Sequence, residues 1–259
     1  MSNLDHALLR DYADTFRTYG DLDNNVWFLG LEEGGGGSLE QAAKKLCSWN
    51  DRGRQNVSYL SGEGAHAVPD NPFLPPEGKQ AKLQKTWSNQ LRVLLGIQGE
   101  PLSNDAVRTL QTTAHGTAGG PTCLLELFPL PCKDAGSWVY DNVSFDNQVP
   151  SNDFANKRSY YQTYLPRRIE KLKALLRDHS PEVLVCMTWT HRDSLISMLD
   201  SHETLDLNLP KCDANAIIGM AGKTVVVICT HPAMRFRGPR NRFYHEVGLA
   251  IKNKQSESN

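Results

Sequence analysis

Four short apolar runs dominate this sequence: VWFLGL at residues 26–31, TCLLELF at 122–128, EVLVCMT at 182–188 and KTVVVICT at 223–230. A strand that is apolar at nearly every position must be buried on both faces, and segments of helical periodicity lie between these runs. Together they predict an α/β fold with a mainly parallel sheet covered by helices on each side. Sites in such sheets form beyond the carboxyl ends of the strands. Leu31–Ser38, Phe128–Lys133, Thr188–Arg192 and Thr230–Arg242 are therefore expected to converge.

The length of 259 residues suits one domain with a sizeable core. Leu4, Leu8, Tyr12, Phe16 and Tyr19 predict an opening helix within residues 1–24, stopped at Gly20. Ser38 and Gln41 form a capping-box pattern ahead of Leu39, Ala42, Ala43 and Leu46. A further helix is expected around Leu83–Leu95 and ends near Gly96. Pro129 and Pro131 are expected to halt the second strand. A basic helix then runs to about His179, bent or started by Pro166, and a short one covers about His191–Leu199. NAIIGM, 215–220, reads as the hairpin partner of the last strand, and a closing helix spans about Asn241–Lys252. Residues 50–78 and 129–158 read as long loop excursions, the first rich in Gly, Pro, Asn and Ser.

No apolar run approaches the roughly 20 residues of a membrane span, and no secretory signal is visible. The six cysteines form no CxxC pair, and Cys123, Cys186 and Cys229 lie in or beside strand-like runs. They read as buried thiols of a cytoplasmic protein rather than metal, cluster or disulfide ligands. A net charge of −1 argues against broad adhesion to nucleic acid. Yet HPAMRFRGPRNRFYH, 231–245, holds Arg235, Arg237, Arg240 and Arg242 among aromatic residues with no acid, a pattern suited to focused phosphate contact. A solvated arginine face is the plain alternative.

GGGGS, Gly34–Ser38, looks like a spacer but joins a strand directly to a capped helix. It lacks both the GK[ST] of a phosphate-binding P-loop and the GxGxxG of a dinucleotide site. Glu32 and Glu33 precede it and would compete with a phosphate at the helix N-terminus, which favours carboxylate chemistry at a sugar or base. Glu33 is expected to face water. His231 follows a buried strand and so stands at the rim of the expected site. Alternation puts Leu124, Glu126 and Phe128 on one face, where a carboxylate must be paired with an arginine, protonated or turned into a polar pocket.

GLEE at 30–33, LLELFPLP at 124–131, VLVCMTWTHRDSL at 183–195 and THPAMRFRG at 230–238 resemble, in order and approximate spacing, the motifs of the uracil-DNA glycosylase superfamily. The resemblance covers most of the chain from Val26 onward. It implies a three-layer α/β/α sandwich around a four-stranded parallel sheet, DNA as partner, and catalysis without a metal or other cofactor; a monomer is expected. Glu32 would be the acid that orients water, and His231 the family's histidine. Glu126, with Phe128, Gly34 and Gly35, would hold the base. Met234, Arg235 and Phe236 would supply the wedge, and Arg237, Arg240 and Arg242 would contact phosphates.

The chain departs from uracil-directed members in two places. Glu33 and Gly34 replace a proline and an aromatic residue, and Glu126 replaces an amide. An ionised Glu126 would accept from the N4 amine of cytosine and repel the O4 of uracil. This predicts a modified cytosine as target, as in phage genomes with hypermodified bases, the superfamily having branches linked to phage defence. A protonated Glu126 would undo that inference. The alternatives are uracil excision in repair, a non-catalytic module that captures a flipped base, and a hydrolase of free nucleosides or nucleotides.

Overall fold

The computed structural model describes residues 6–60, 71–75, 79–134, 136–141 and 152–258. Much of the two expected excursions, 61–70, 76–78, 135 and 142–151, lies outside the described residues, as do Met1–Asp5 at the start of the expected first helix.

The four apolar runs become β2 (Val26–Gly34), β4 (Thr122–Cys132), β5 (Val183–Cys186) and β8 (Thr224–Cys229), which lie side by side and parallel in the order β4-β2-β5-β8. The four-stranded expectation undercounts the sheet, which has eight strands. β1 (Thr18–Tyr19) and β3 (Val57–Ser58) extend it beyond β4, and β7 (Ala216–Ala221) and β6 (Ser201–Thr204) extend it beyond β8. β7 pairs antiparallel with β8 as the expected hairpin, turning at Gly222 with φ +59°. β1 and β6 are too short and polar to show a period in the sequence.

Alternate residues of the central strands supply two cores. Trp27, Leu29, Leu184, Cys186, Val226 and Ile228 face one side; Val26, Phe28, Val183, Val185, Val225 and Val227 face the other. Helices α1 (His6–Asp14), α2 (Leu39–Asp51), α5 (Lys157–His179) and α6 (Arg192–Ile196) cover the first face through residues such as Leu9, Leu46, Leu172 and Leu195. Helices α3 (Lys85–Gln98), α4 (Asn104–Thr113) and α7 (Arg240–Ser258) cover the second through Leu91, Val107 and Val247. The result is a three-layer arrangement of helices about a central sheet.

Several boundaries differ from expectation for physical reasons. The first helix stops at Asp14, and Thr18–Tyr19 become a strand whose backbone pairs with both β3 and β4. Gly96 lies inside α3 because it faces Gly248 of α7; a Cβ on Gly96 would stand 2.2 Å from the His245 carbonyl oxygen, and one on Gly248 2.1 Å from that of Val93. The helix ends instead at Gly99, which is left-handed at φ +74°. Pro166 sits within a continuous α5, whose N-cap is Asn156.

β4 likewise passes through Pro129 and Pro131. Between the pairs Glu32–Phe128 and Gly34–Cys132, two steps of β2 match four of β4, so the prolines fall in a bulge where ladder donors are not required. On its other edge β4 loses β1 after Leu125, and Arg168 of α5 takes over. Its guanidinium, fully buried, donates to the carbonyls of Leu127 (2.8 Å), Glu126 (2.7 Å) and Thr15 (2.7 Å) and lies over the Phe16 ring. Burial lowers Arg168 to about 10, which leaves it charged at neutral pH.

Candidate functional site

The parallel strands end on one edge of the sheet, where β2 bears Glu32, β4 bears Glu126 and Phe128, β5 leads to Thr188 and His191, and β8 leads to His231. β2 and β8 are separated only by β5, so their ends are two strand spacings, roughly 10 Å, apart.

β2 continues through both acids rather than stopping before them. Glu32 is closely held: Lys157 Nζ lies 2.8 Å from its Oε1 and 2.9 Å from its Oε2, and the Tyr161 hydroxyl donates to Oε1. Lys157 and Tyr161 are one turn apart at the start of α5, so the Asn156 cap that sets that end also aims both groups. The Tyr161 ring stacks on Phe128 at 4.1 Å between centroids, and His191 stands edge-on to both rings. Burial holds His191 below the usual imidazole range. Its Nε2 and the Thr188 hydroxyl are buried without a hydrogen-bond partner.

Glu33 does not face water. Only 5% exposed, it accepts from the hydroxyls of Tyr12 and Tyr19 at 2.7 Å each, and pairs with Arg17 at 3.3 Å and Lys45 at 3.2 Å. Both oxygens are thus committed to groups from α1, β1 and α2 and the turn between the first two. Glu33 is a structural anchor, whereas Glu32 is held by the start of α5.

Glu126 sits opposite Gly30 in the β2–β4 register. Its carboxyl occupies the space where a side chain on Gly30 would be, with Oε2 2.1 Å from an ideal Cβ at that position. That oxygen is buried and has no hydrogen-bond partner. Of the three alternatives for this carboxylate, an ion pair with an arginine is absent among the described residues, because Arg168 serves main-chain carbonyls instead. Desolvation, reinforced by Glu33 and Glu32, pushes Glu126 well above the ordinary carboxylate range. This removes the premise of an ionised reader on which the cytosine expectation stood. Phe128 also leaves the Leu124–Glu126 face and packs with Leu127 in the core beneath α5, since the strand curls at its bulge.

The glycine run is a close-packed connection between β2 and α2. Ser38 caps α2 by accepting from the Gln41 amide, and Gln41 Oε1 accepts from the Gly37 amide at 3.0 Å. Gly35 needs its φ of +92°, and Gly36 is buried with room for no Cβ, which would meet the Pro131 carbonyl oxygen at 2.0 Å. Gly34 alone of these faces open space.

His231 is held in one tautomer. Its Nδ1 accepts from the Ala233 amide at 3.0 Å, so Nε2 carries the proton. Burial, helped by Lys85, lowers the imidazole to about 4, and the ring is neutral at physiological pH. The loop that follows divides the expected DNA contacts into two groups. Phe236 is half-buried against Phe243 and Tyr244, and Arg240 donates to the carbonyls of Pro232 (3.1 Å) and Met234 (2.8 Å) while lying over the Phe236 ring. These two hold the loop in shape. Met234 is 46% exposed, and Arg235 and Arg237 are exposed, Arg237 lying 3.6 Å from Asp213. Arg242 pairs with Glu246 along α7 at 3.1 Å.

Sequence reasoning missed Lys157, Tyr161 and Lys85. Lys157 and Tyr161 carried no motif; their only signal was a basic, tyrosine-rich helix start after a loop. Lys85 opens α3, and burial together with Arg240 and Arg235 lowers its pKa, which sets it in one basic patch with the loop. Among the described residues, no helix is long and apolar enough to cross a membrane. No protein-family model and no curated protein matches the chain.

Proposed function

We propose that this protein is a DNA glycosylase that hydrolyses the N-glycosidic bond of a flipped, modified base. The observation that carries the reading is His231: a neutral imidazole at the end of a parallel strand, fixed with its proton on Nε2. Cleavage of a base–sugar bond leaves the electron pair on the base and positive charge on the sugar. The Nε2–H can stabilise the departing anion by hydrogen bonding without having to lose its proton. On the sugar side, Glu32 supplies negative charge and accepts the proton of the water that adds to the sugar carbon. Lys157 and Tyr161 fix the position of that carboxylate.

DNA as the partner is supported by the patch of Lys85, Arg235 and Arg240 near His231, with Arg237 and Met234 exposed on the same loop. A basic surface around an apolar projection suits phosphate contact with insertion into the gap left by a flipped base. Open space at Gly34 is where a base substituent would be accommodated.

The test is incubation with duplexes carrying uracil, cytosine or their 5-hydroxymethyl derivatives, followed by alkaline cleavage of abasic sites. Strand breaks at the position of one of these bases are expected. Binding to all duplexes without breaks would make the protein a capture module, and release of base only from free nucleosides would make it a nucleoside hydrolase.

A further inference from the structure

Cys132 closes β4 beside the candidate site but takes no part in the chemistry above. It is 3% exposed and stands opposite Gly34, two residues along β2 from Glu32. Its thiol is within hydrogen-bonding reach of both the Glu32 carboxylate and the Lys157 ammonium. Lys157 is fixed there from two directions, since its Nζ lies 2.9 Å from Glu32 Oε2 and donates at 3.0 Å to the carbonyl of Asp134, two residues after Cys132. Tyr140, Tyr160 and Tyr161 stand close by. Other buried thiols have different company: Cys123 reaches the Gly20 carbonyl at 3.7 Å, and Cys186 and Cys229 lie in the two apolar cores.

We propose that Cys132 and Lys157 form a reversible oxidative modification site, in which hydrogen peroxide joins Sγ to Nζ as a sulfenamide and pulls the cation away from Glu32. Only the effect on activity rests on the glycosylase reading. In the first step Sγ attacks one peroxide oxygen and the O–O bond breaks. Sulfur is oxidised by two electrons to a sulfenic acid, and the departing hydroxide takes the thiol proton as water. Lys157 then passes one proton to the Glu32 carboxylate that it touches. Its neutral amine attacks the sulfenic sulfur, the S–O bond breaks, and the hydroxyl leaves with a second amine proton as water. Thiol, amine and peroxide thus give one S–N bond and two waters. Closure outruns further oxidation because the amine is already in contact when the sulfenic acid forms. Burial and the Glu32 charge push the thiol up to about 12, so it rests protonated and reacts slowly, and it suits sustained peroxide better than a brief pulse. The cluster opens to solvent at Lys157, whose side chain is 14% exposed, and this is the way in for a small oxidant.

The test is peptide mapping by mass spectrometry of the whole protein after treatment with hydrogen peroxide at mildly alkaline pH. The Cys132 and Lys157 peptides should appear joined, two hydrogens lighter than their sum. Dithiothreitol should separate them by reducing the S–N bond to thiol and amine. Lys157→Arg should carry oxygen adducts at Cys132 and no joined peptide. Oxygen adducts on wild-type Cys132 without the bridge, or an unchanged Cys132 while exposed Cys47 is oxidised, would overturn the proposal. Both are read on wild type, so neither depends on a variant folding. In the duplex assay, bridging should lower base release by about tenfold or more, and dithiothreitol should restore it. Cys132→Ser should keep its rate through the same treatment. A bridge with unchanged release would overturn the control of Glu32. A bridge in a protein that releases no base from any duplex would overturn the glycosylase reading and leave the modification site standing.

Discussion

At the scale of single residues, adjacent acids with the same side chain have opposite roles because of what reaches them. Glu33 compensates Arg17 and Lys45 inside the protein, so Glu33→Gln leaves two cations without their shared partner. A decrease of about 3 kcal/mol or more in unfolding free energy is expected from urea unfolding, while Glu32→Gln should cost less, because it strands one cation rather than two and Lys157 keeps the hydrogen bond it already donates to the Asp134 carbonyl at 3.0 Å. Their order in the sequence could not separate them, since the groups that bind Glu33 lie far away at Tyr12, Arg17, Tyr19 and Lys45. Glu126 leads to a pH prediction. Its folded-state pKa is raised, so the folded protein retains a proton that the unfolded chain has released. The stabilisation is full below the ordinary carboxylate range and is lost as pH rises through the folded value. Wild type should therefore lose stability relative to Glu126→Gln as pH is raised above that range, seen as diverging urea midpoints. His231 has the opposite sign. With the folded pKa depressed to about 4, its contribution is present above the imidazole range and declines as pH falls from about 6.5 through about 4. An activity profile set by His231 should accordingly hold until close to pH 4.

At the scale of elements, the glycine loop shows how the same residue can be required or free. Gly36→Ala would drive a Cβ into the Pro131 carbonyl and should cost about 1–3 kcal/mol by displacing β4. Gly35 is strained by any side chain because of its positive φ, so its substitution cannot isolate a steric effect on substrate. Gly34→Val is the informative change. It should fold like wild type and slow release of the bulkiest base most, as judged by comparing urea midpoints with release rates across the duplex panel. The four parallel strands, the capped α2 and the closing hairpin were legible because their periodicity and capping residues are local. The passage of β4 through two prolines was not, because it depends on a bulge opposite Glu32 and on Arg168 arriving from α5 to satisfy the free edge. Gly96 misled for a similar reason: a helix-ending residue by local rules, it is a packing surface for Gly248.

At the scale of the whole molecule, a near-neutral protein gathers Lys85, Arg235, Arg237, Arg240 and Arg242 where the start of α3 meets the loop after β8. Arg235→Ala with Arg237→Ala should weaken duplex binding and reduce the slope of log affinity against log salt by about 0.9 for each phosphate that is no longer neutralised. Arg240→Ala should behave differently: without its hydrogen bonds to the Pro232 and Met234 carbonyls the loop loosens, lowering thermal stability as well as binding. The central claim is that Glu32 acts on a sugar and is not a structural ion pair. Its most direct test is single-turnover base release from the preferred duplex by wild type and Glu32→Gln, with duplex affinity measured in parallel. Release should fall by about 10²–10⁴-fold while affinity changes little. Equal release by the two proteins, or a fall in affinity in step with release, would contradict it.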